Sequence, residues 1–206
     1  MAIPQVVSAQ EWTQAREALL IAEKEATRAQ DALAAQRRRL PMVAFDEYTF
    51  TATSGTVTLR ELFGDQDQLM VYQFMDVGPD GLCPGCTHLT NNVTALDVLA
   101  DCGIAWATVS NMPIEQIDRV RAEHGWTMPF YSSRDTSFSD DCGAGGGFLL
   151  SAFFRDGDQV YRTYSTTRRG VDRLLFVNNL QDLAVYGRQE DWEDSPEGWP
   201  QHPTYG

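Results

Sequence analysis

The chain has 206 residues, of which 43% are hydrophobic and 22% charged, and its 16 basic and 29 acidic side chains give a formal net charge of −13. This length predicts one globular domain with an added element. Such an acidic surface argues against binding to nucleic acid or to an anionic membrane. We find no apolar run long enough for a membrane helix and no secretory signal pattern. We therefore expect a cytoplasmic protein whose four cysteines do not form a disulfide scaffold.

Residues 8–40 are predicted to form one long helix. Ser8 and Glu11 have the spacing of a capping box, and Pro41 ends the helix. Apolar residues recur at steps of three and four and therefore share one stripe of the helix surface. The stripe consists of Trp12, Ala15, Leu19, Ala22, Ala26, Ala29 and Leu33. Because alanine dominates it, we expect close packing on a partner surface, either the protein's own domain or a second copy in a homo-oligomer.

A compact domain is expected after this helix. The stretch YTFTATSGTVTL alternates around Ser54-Gly55 and predicts a β-hairpin. QLMVYQFM and IAWATVS are mostly apolar, β-rich runs that predict two buried strands. The chain between these strands is expected to form a single helix that extends to about Leu99.

The second half of the domain begins with a helix that opens at Pro113, followed by a short strand in MPFYSS. Residues 132–147 are expected to form a polar, glycine-rich loop. FLLSAFFRDGDQVYRTYS predicts a hairpin turned by Asp156-Gly157. A final helix is expected over residues 171–186.

This order of elements predicts an α/β fold with a central mixed sheet and helices on both faces. A strand–helix–strand unit implies parallel neighbours, and the terminal hairpin implies an antiparallel edge. We expect a helical extension at residues 1–41, the main domain at 42–187 and an acidic tail at 188–206. Trp192 and Trp199 in the tail favour packing on a surface.

Two cysteines lie close together after the first predicted buried strand, in the stretch Cys83-Pro84-Gly85-Cys86. Unpaired N–H groups at a helix N-terminus stabilise a thiolate, and Pro84 fits the first helical turn. One turn of helix brings Cys83 and Cys86 to one face. The pattern predicts a redox pair, in which Cys83 attacks a disulfide sulfur and Cys86 resolves the mixed disulfide.

Other interpretations of the pair compete with this one. A zinc site needs further ligands, whereas Cys102 and Cys142 are single and distant and His88 is expected on the other side of the helix. A c-type haem site needs histidine where Thr87 stands. Two inert buried thiols are the structural alternative. We expect no metal and no other cofactor, with Cys102 packed and Cys142 a mobile structural thiol that could also pair with the other two.

Several stretches together resemble the thioredoxin-like superfamily, in its alkyl hydroperoxide reductase and thiol-specific antioxidant branch. They are QLMVYQFM followed by CPGC, IAWATVS and HGWTMPFYSS. Nearly the whole chain also resembles a bacterial family of unknown function that is predicted to contain dithiol–disulfide oxidoreductases. The further matching pieces are EWTQAREALLIAEKEATRAQDALAAQRRRLPMV, FDEYTF, VTLRELFGDQDQLMVYQFM, YRTYSTTRRGVD and the final helix. The resemblance implies a thioredoxin-like fold and a redox role for Cys83 and Cys86, although the proline that thioredoxins usually carry is missing from GGFLLSAFF.

Three functions follow as alternatives. The first is a thiol–disulfide oxidoreductase, with Pro84, Gly85 and Pro79 supporting the cysteines. The second is a thiol peroxidase, because Pro79 precedes Cys86 by the interval found in peroxiredoxins; Cys86 would then react with peroxide and Cys83 would resolve it. The third is a non-enzymatic binding or scaffold protein. The expected partners are a protein or small-molecule disulfide, or a peroxide.

Overall fold

The computed structural model describes residues 3–201, which divide into two compact units. Met42–Asn179 form the central unit. The terminal unit contains the described parts of Met1–Pro41 and Leu180–Gly206. Residues 180–187, which the sequence pattern groups with the main domain, thus belong to the terminal unit. Within residues 3–201, no helix is both long and apolar enough to span a membrane.

Six α-helices occur along the described chain, accompanied by 3₁₀ turns at Glu61–Phe63 and Arg168–Leu174. The helices are α1 (Ala9–Arg37), α2 (Pro84–Asn91), α3 (Leu96–Asp101), α4 (Ile114–His124), α5 (Phe138–Asp141) and α6 (Phe176–Leu183). The final helix predicted at 171–186 is therefore shorter than expected and follows a 3₁₀ segment.

Eight strands form one mixed sheet in the order β1-β8-β7-β4-β5-β6-β2-β3. β4 pairs in parallel with β5, and β5 with β6, while the other neighbours are antiparallel. The strands are β1 (Val43–Phe45), β2 (Thr49–Ala52), β3 (Gly55–Thr58), β4 (Gln68–Phe74), β5 (Ile104–Ser110), β6 (Phe130–Ser132), β7 (Leu149–Asp156) and β8 (Gln159–Thr166). The predicted mixed sheet is confirmed.

The two faces of the sheet carry separate hydrophobic clusters, because successive side chains of a strand point to opposite faces. In β4, Leu69 and Val71 belong to one cluster, with Phe138 of α5. Tyr72 and Phe74 belong to the other, which also contains buried residues of α2 and α4. Helices therefore cover both faces, as the sequence predicts.

Three further features of the structure depart from the sequence analysis. The single helix expected up to Leu99 is two helices, since the chain leaves α2 at Asn92 and passes through Ala95 in the left-handed region (φ 53°). The predicted loop at 132–147 contains α5, whose Phe138 is fully buried. The strand β1 was not predicted; it is only three residues long and is positioned by its pairing with β8.

The long N-terminal helix has the predicted start. The Ser8 side chain accepts a hydrogen bond from the N–H of Glu11, and the Glu11 carboxylate accepts from the N–H of Ser8. This is the expected capping box. None of the 29 residues of α1 is buried.

The segment after α6 lacks regular structure but is held by side-chain contacts within the terminal unit. The Tyr186 and Trp199 rings meet edge to face with centroids 5.3 Å apart. Buried Arg188 forms an ion pair with Asp182 at 2.7 Å. Trp199 thus packs within the terminal unit, whereas Trp192, the other tryptophan expected to pack on a surface, is 43% exposed.

Candidate active site

The cysteine pair lies where the chain passes from β4 into α2. Cys83 is the N-cap of α2 and has an extended backbone (φ −62°, ψ 118°), and Pro84 is the first helical residue. Proline is favoured there because its missing N–H would have no partner within the helix. The sequence prediction of a helix that begins at this pair is therefore confirmed.

The Cys83 sulfur lies at the partly exposed start of α2. It accepts a hydrogen bond from the backbone N–H of Cys86 at 3.5 Å. The Cys83 carbonyl accepts from the N–H and from the hydroxyl of Thr87, at 2.9 and 3.0 Å. The first turn thus fixes the backbone of Cys83 and directs an N–H group at its sulfur.

The Cys86 sulfur, one turn later, is completely buried, with 0% of the residue exposed. The backbone N–H of Met75, just after β4, donates to this sulfur at 3.4 Å. Burial raises the pKa of the Cys86 thiol to about 12, and the hydrogen bond with Cys83 also raises it. Hydrogen bonds from the Tyr72 hydroxyl and from Met75 act in the opposite direction, because they favour negative charge on the sulfur.

Tyr72 is a site residue that sequence reasoning missed. Its hydroxyl donates to the Cys86 sulfur, and its ring lies against Phe148 with centroids 6.4 Å apart. Phe148 precedes β7, in the stretch where thioredoxins usually carry a proline. Tyr72 belongs to the predicted buried strand QLMVYQFM. A buried tyrosine hydroxyl usually has a hydrogen-bond partner, and this is the one feature of the sequence that could have indicated a role for Tyr72.

The loop before the pair is tied to α4. The Gln116 side-chain amide donates to the Gly78 carbonyl at 2.9 Å, and Arg119 donates to the Pro79 carbonyl at 3.2 Å. Pro79 is therefore part of a fixed loop beside the start of α2. Pro79, Pro84 and the two cysteines therefore lie in one region of the structure.

An open cleft of about 800 Å³ lies between the Pro79 loop, α2 and α4. His88 forms part of the α2 wall, and its Nε2 is 2.7 Å from the side-chain oxygen of Asn178. The cleft carries charges of both signs. It is lined by Pro79, Asp80, Gly81, Leu82, Pro84, Thr87, His88, Asn91, Gln116, Arg119, Val120, Glu123 and His124.

The other two cysteines are not brought to this site. Cys142 belongs to the hydrophobic cluster on the opposite face of the sheet from Cys86. It is buried, and this burial raises the pKa of its thiol to about 12. The expectation of a mobile thiol is therefore wrong: α5 and the core hold it. Cys102, expected to be packed, is exposed at the end of α3.

Among residues 3–201, no group of three or more histidine, cysteine or acidic side chains is arranged to hold a metal ion. The described part of the chain therefore places no additional metal ligand beside Cys83 and Cys86. Both cysteines are free thiols.

Comparison with known sequences gives the family. A profile described as a bacterial protein family of unknown function, DUF899, matches residues 1–205. The chain belongs to this family. A search of curated proteins gives no match.

Solved structures give the fold. A thiol:disulfide interchange protein from Bacteroides sp. is 14% identical, with a TM-score of 0.50 over 74% of this chain and 94% of that one. Peroxidoxin BcpB from Mycobacterium tuberculosis is 14% identical, with a TM-score of 0.48 over 66% and 94%. A mutant of peroxiredoxin Q from Xanthomonas campestris is 20% identical, with a TM-score of 0.41 over 66% and 91%. The fold of this DUF899 protein is thioredoxin-like.

Proposed function

We propose that the protein is a thiol–disulfide oxidoreductase that uses Cys83 and Cys86. The observation that carries this proposal is the difference between the two thiols. Cys83 is partly exposed at a helix N-terminus and accepts an N–H hydrogen bond, whereas Cys86 is fully buried one turn later. An accessible attacking thiol with a protected resolving thiol is the arrangement that disulfide exchange requires.

The reaction has two displacement steps. The Cys83 thiolate attacks one sulfur of the substrate disulfide, forms a mixed disulfide and expels the first substrate thiolate, which takes up a proton. Cys86 then loses its proton and attacks the Cys83 sulfur. This forms the Cys83–Cys86 disulfide and expels the second substrate thiolate, so that the substrate gains two electrons and the enzyme loses two. An external dithiol then reduces the enzyme disulfide by the same chemistry.

Tyr72 and Met75 assist the second step. Burial raises the pKa of Cys86, so its thiolate is scarce before the mixed disulfide forms. The two donors at its sulfur reduce this cost when Cys86 ionises. Burial thus keeps Cys86 protonated in the resting protein, and the two donors favour its ionisation for the second step.

The burial of Cys86 also argues against the peroxidase alternative. A peroxidatic Cys86 would have to be ionised and open to peroxide in the resting enzyme, yet its residue has no exposed surface and the pKa of its thiol is raised to about 12. We therefore assign the substrate as a disulfide, of a protein or of a small molecule. We propose the cytoplasm as the compartment, because its thiol pool would keep the pair reduced.

Reaction with 5,5′-dithiobis(2-nitrobenzoic acid) tests the proposal in a Cys102→Ser background, which removes the exposed cysteine. We expect release of two thionitrobenzoates, the first by attack of Cys83 and the second when Cys86 resolves the adduct. Cys83→Ser should abolish the rapid first release. In the Cys86→Ser variant the reaction should stop after the first release. The proposal fails if Cys83→Ser reacts as fast as its parent, or if neither substitution changes the kinetics.

Treatment with hydrogen peroxide separates the peroxidase alternative. With dimedone as a trap, Cys83→Ser should give little Cys86 sulfenic acid under conditions in which the wild-type pair exchanges disulfides. Rapid, stoichiometric trapping at Cys86 would contradict the oxidoreductase assignment and support a peroxidase.

A further inference from the structure

The N-terminal helix α1 presents a continuous apolar stripe to solvent. Its three large members are exposed: Trp12 at 61%, Leu19 at 55% and Leu33 at 43%. The four alanines between them are exposed as well. A helix normally gains most of its stability by packing one apolar face. A helix of 29 residues, about 43 Å long, therefore leaves its main packing surface unused in the single chain.

The spacing of the stripe fits another helix as its occupant. Its members alternate in steps of three and four, an average of 3.5 residues, over three heptads from Trp12 to Leu33. This is the period at which two helices wind around each other in a left-handed coiled coil. Packing on a flat or irregular protein surface would not require apolar residues at heptad spacing along the whole helix.

The sizes of the side chains favour an antiparallel partner. Three of the four first positions in the seven-residue repeat hold large side chains, Trp12, Leu19 and Leu33, and the remaining one holds Ala26. Alanine occupies the fourth position of each repeat. When two such helices run in opposite directions, first positions face fourth positions, and large side chains meet alanines. Large and small residues that face each other interdigitate well. A parallel pair would place Trp12 on Trp12 and alanine on alanine.

The charges of the two halves are complementary in the same arrangement. From Ala9 to Glu25 the helix has four acidic and two basic residues, a net charge of −2. From Ala26 to Arg37 it has two arginines and one aspartate, and Arg38 and Arg39 follow its last residue, so residues 26–39 carry a net charge of +3. An antiparallel second copy places each acidic half opposite a basic half. A parallel copy would place the two acidic halves together and the two basic halves together.

We propose that α1 is a dimerisation helix that pairs antiparallel with α1 of a second copy of this chain. This proposal does not depend on the redox chemistry of Cys83 and Cys86. It predicts that the full-length protein is a dimer held by the Trp12–Leu33 stripe.

Analytical ultracentrifugation of the full chain tests this pairing. Leu19→Glu places a charge in the stripe and should raise the dimer dissociation constant at least tenfold. Ile21→Glu is the matched control, because Ile21 is 64% exposed and lies about 200° around the helix from Leu19. Circular dichroism and thiol reactivity should show that both variants stay folded. A wild-type protein that is monomeric at 100 µM, or equal behaviour of the two variants, would overturn the proposal.

Salt and charge reversal test the direction of the pair. The antiparallel dimer should weaken as sodium chloride rises from 50 to 500 mM, because opposite charges are screened. The double variant Arg38→Glu/Arg39→Glu should weaken it further at low salt, since an acidic end would then face an acidic half. A dimer that tightens with salt and tolerates this variant would be parallel and would contradict the arrangement.

Discussion

At the scale of single residues, the position of each thiol in α2 decides its chemistry. Cys83 caps the helix and remains accessible, and Cys86 faces the core. These positions could be predicted from the sequence, because the helix start depends on the neighbouring Pro84 and on spacing along the chain. The contact of Tyr72 with Cys86 could not, because it joins a strand to a helix across 14 residues of chain.

Tyr72→Phe should slow the resolving step without changing the first attack. The substitution removes the hydroxyl that donates to the Cys86 sulfur, so the pKa of Cys86 rises further and its thiolate becomes scarcer. The loss of one hydrogen bond is worth about 0.5–1.5 kcal/mol, which corresponds to a rate reduction of roughly two- to tenfold. The second release of thionitrobenzoate measures this step directly.

Tyr131→Phe is the matched control for Tyr72→Phe, since Tyr131 lies on β6 and packs with the cluster on the other face of the sheet. It should leave both phases unchanged. Equal slowing by the two substitutions, or an effect of Tyr72→Phe on the first phase alone, would show that Tyr72 does not act through Cys86.

At the scale of elements, the longer strands and both hairpins were predictable, and the break between α2 and α3 was not. Strand β4 is a local run of apolar, β-rich residues, and both hairpins contain a glycine at or next to the turn. The break between α2 and α3 has no glycine or proline to mark it. It depends on Ala95 adopting a left-handed backbone that alanine rarely takes.

Ala95→Gly should stabilise the protein. The left-handed conformation costs a residue with a Cβ roughly 1–2 kcal/mol, and glycine adopts it freely but loses more entropy on folding, so a net gain of about 0.5–1 kcal/mol is expected. Urea unfolding, followed by circular dichroism, measures the change. Ala100→Gly, within α3, is the opposite control and should cost about 1 kcal/mol. A destabilised Ala95→Gly variant would mean that the break is not strained.

The short elements β1 and α5 show a second limit of sequence reasoning. Each has only three or four residues, too few for a hydrophobic period to be read. Both are defined by distant partners: β1 by β8, and α5 by the core around Phe138. The same long-range packing buries Cys142, which is why its environment could not be predicted from a glycine-rich segment.

At the scale of the whole molecule, two buried thiols make the free energy of unfolding depend on pH in the alkaline range. Burial is the largest cause of the raised pKa, about 12, of both Cys86 and Cys142. In the unfolded chain a thiol ionises near pH 8.5. Above that pH the unfolded state binds fewer protons than the folded state, so the free energy of unfolding falls as pH rises, until the folded thiols ionise near pH 12.

The expected slope is up to about 1.4 kcal/mol per pH unit for each thiol once the unfolded chain has ionised. Urea unfolding under reducing conditions at pH 8, 9 and 10 measures it. Cys142→Ala should remove one of the two contributions and flatten the decline, whatever its effect on stability at pH 8. An unchanged decline in Cys142→Ala would contradict the buried environment of this thiol.

The central claim is that Cys83 and Cys86 form one reversible disulfide. The direct measurement is equilibration of the full-length protein in glutathione redox buffers, followed by differential alkylation and peptide mass spectrometry. We predict a single two-electron transition in which these two cysteines are protected together, while Cys102 and Cys142 are alkylated as thiols at every potential after unfolding. A disulfide that contains Cys102 or Cys142, or no disulfide between Cys83 and Cys86 under oxidising conditions, would contradict the claim.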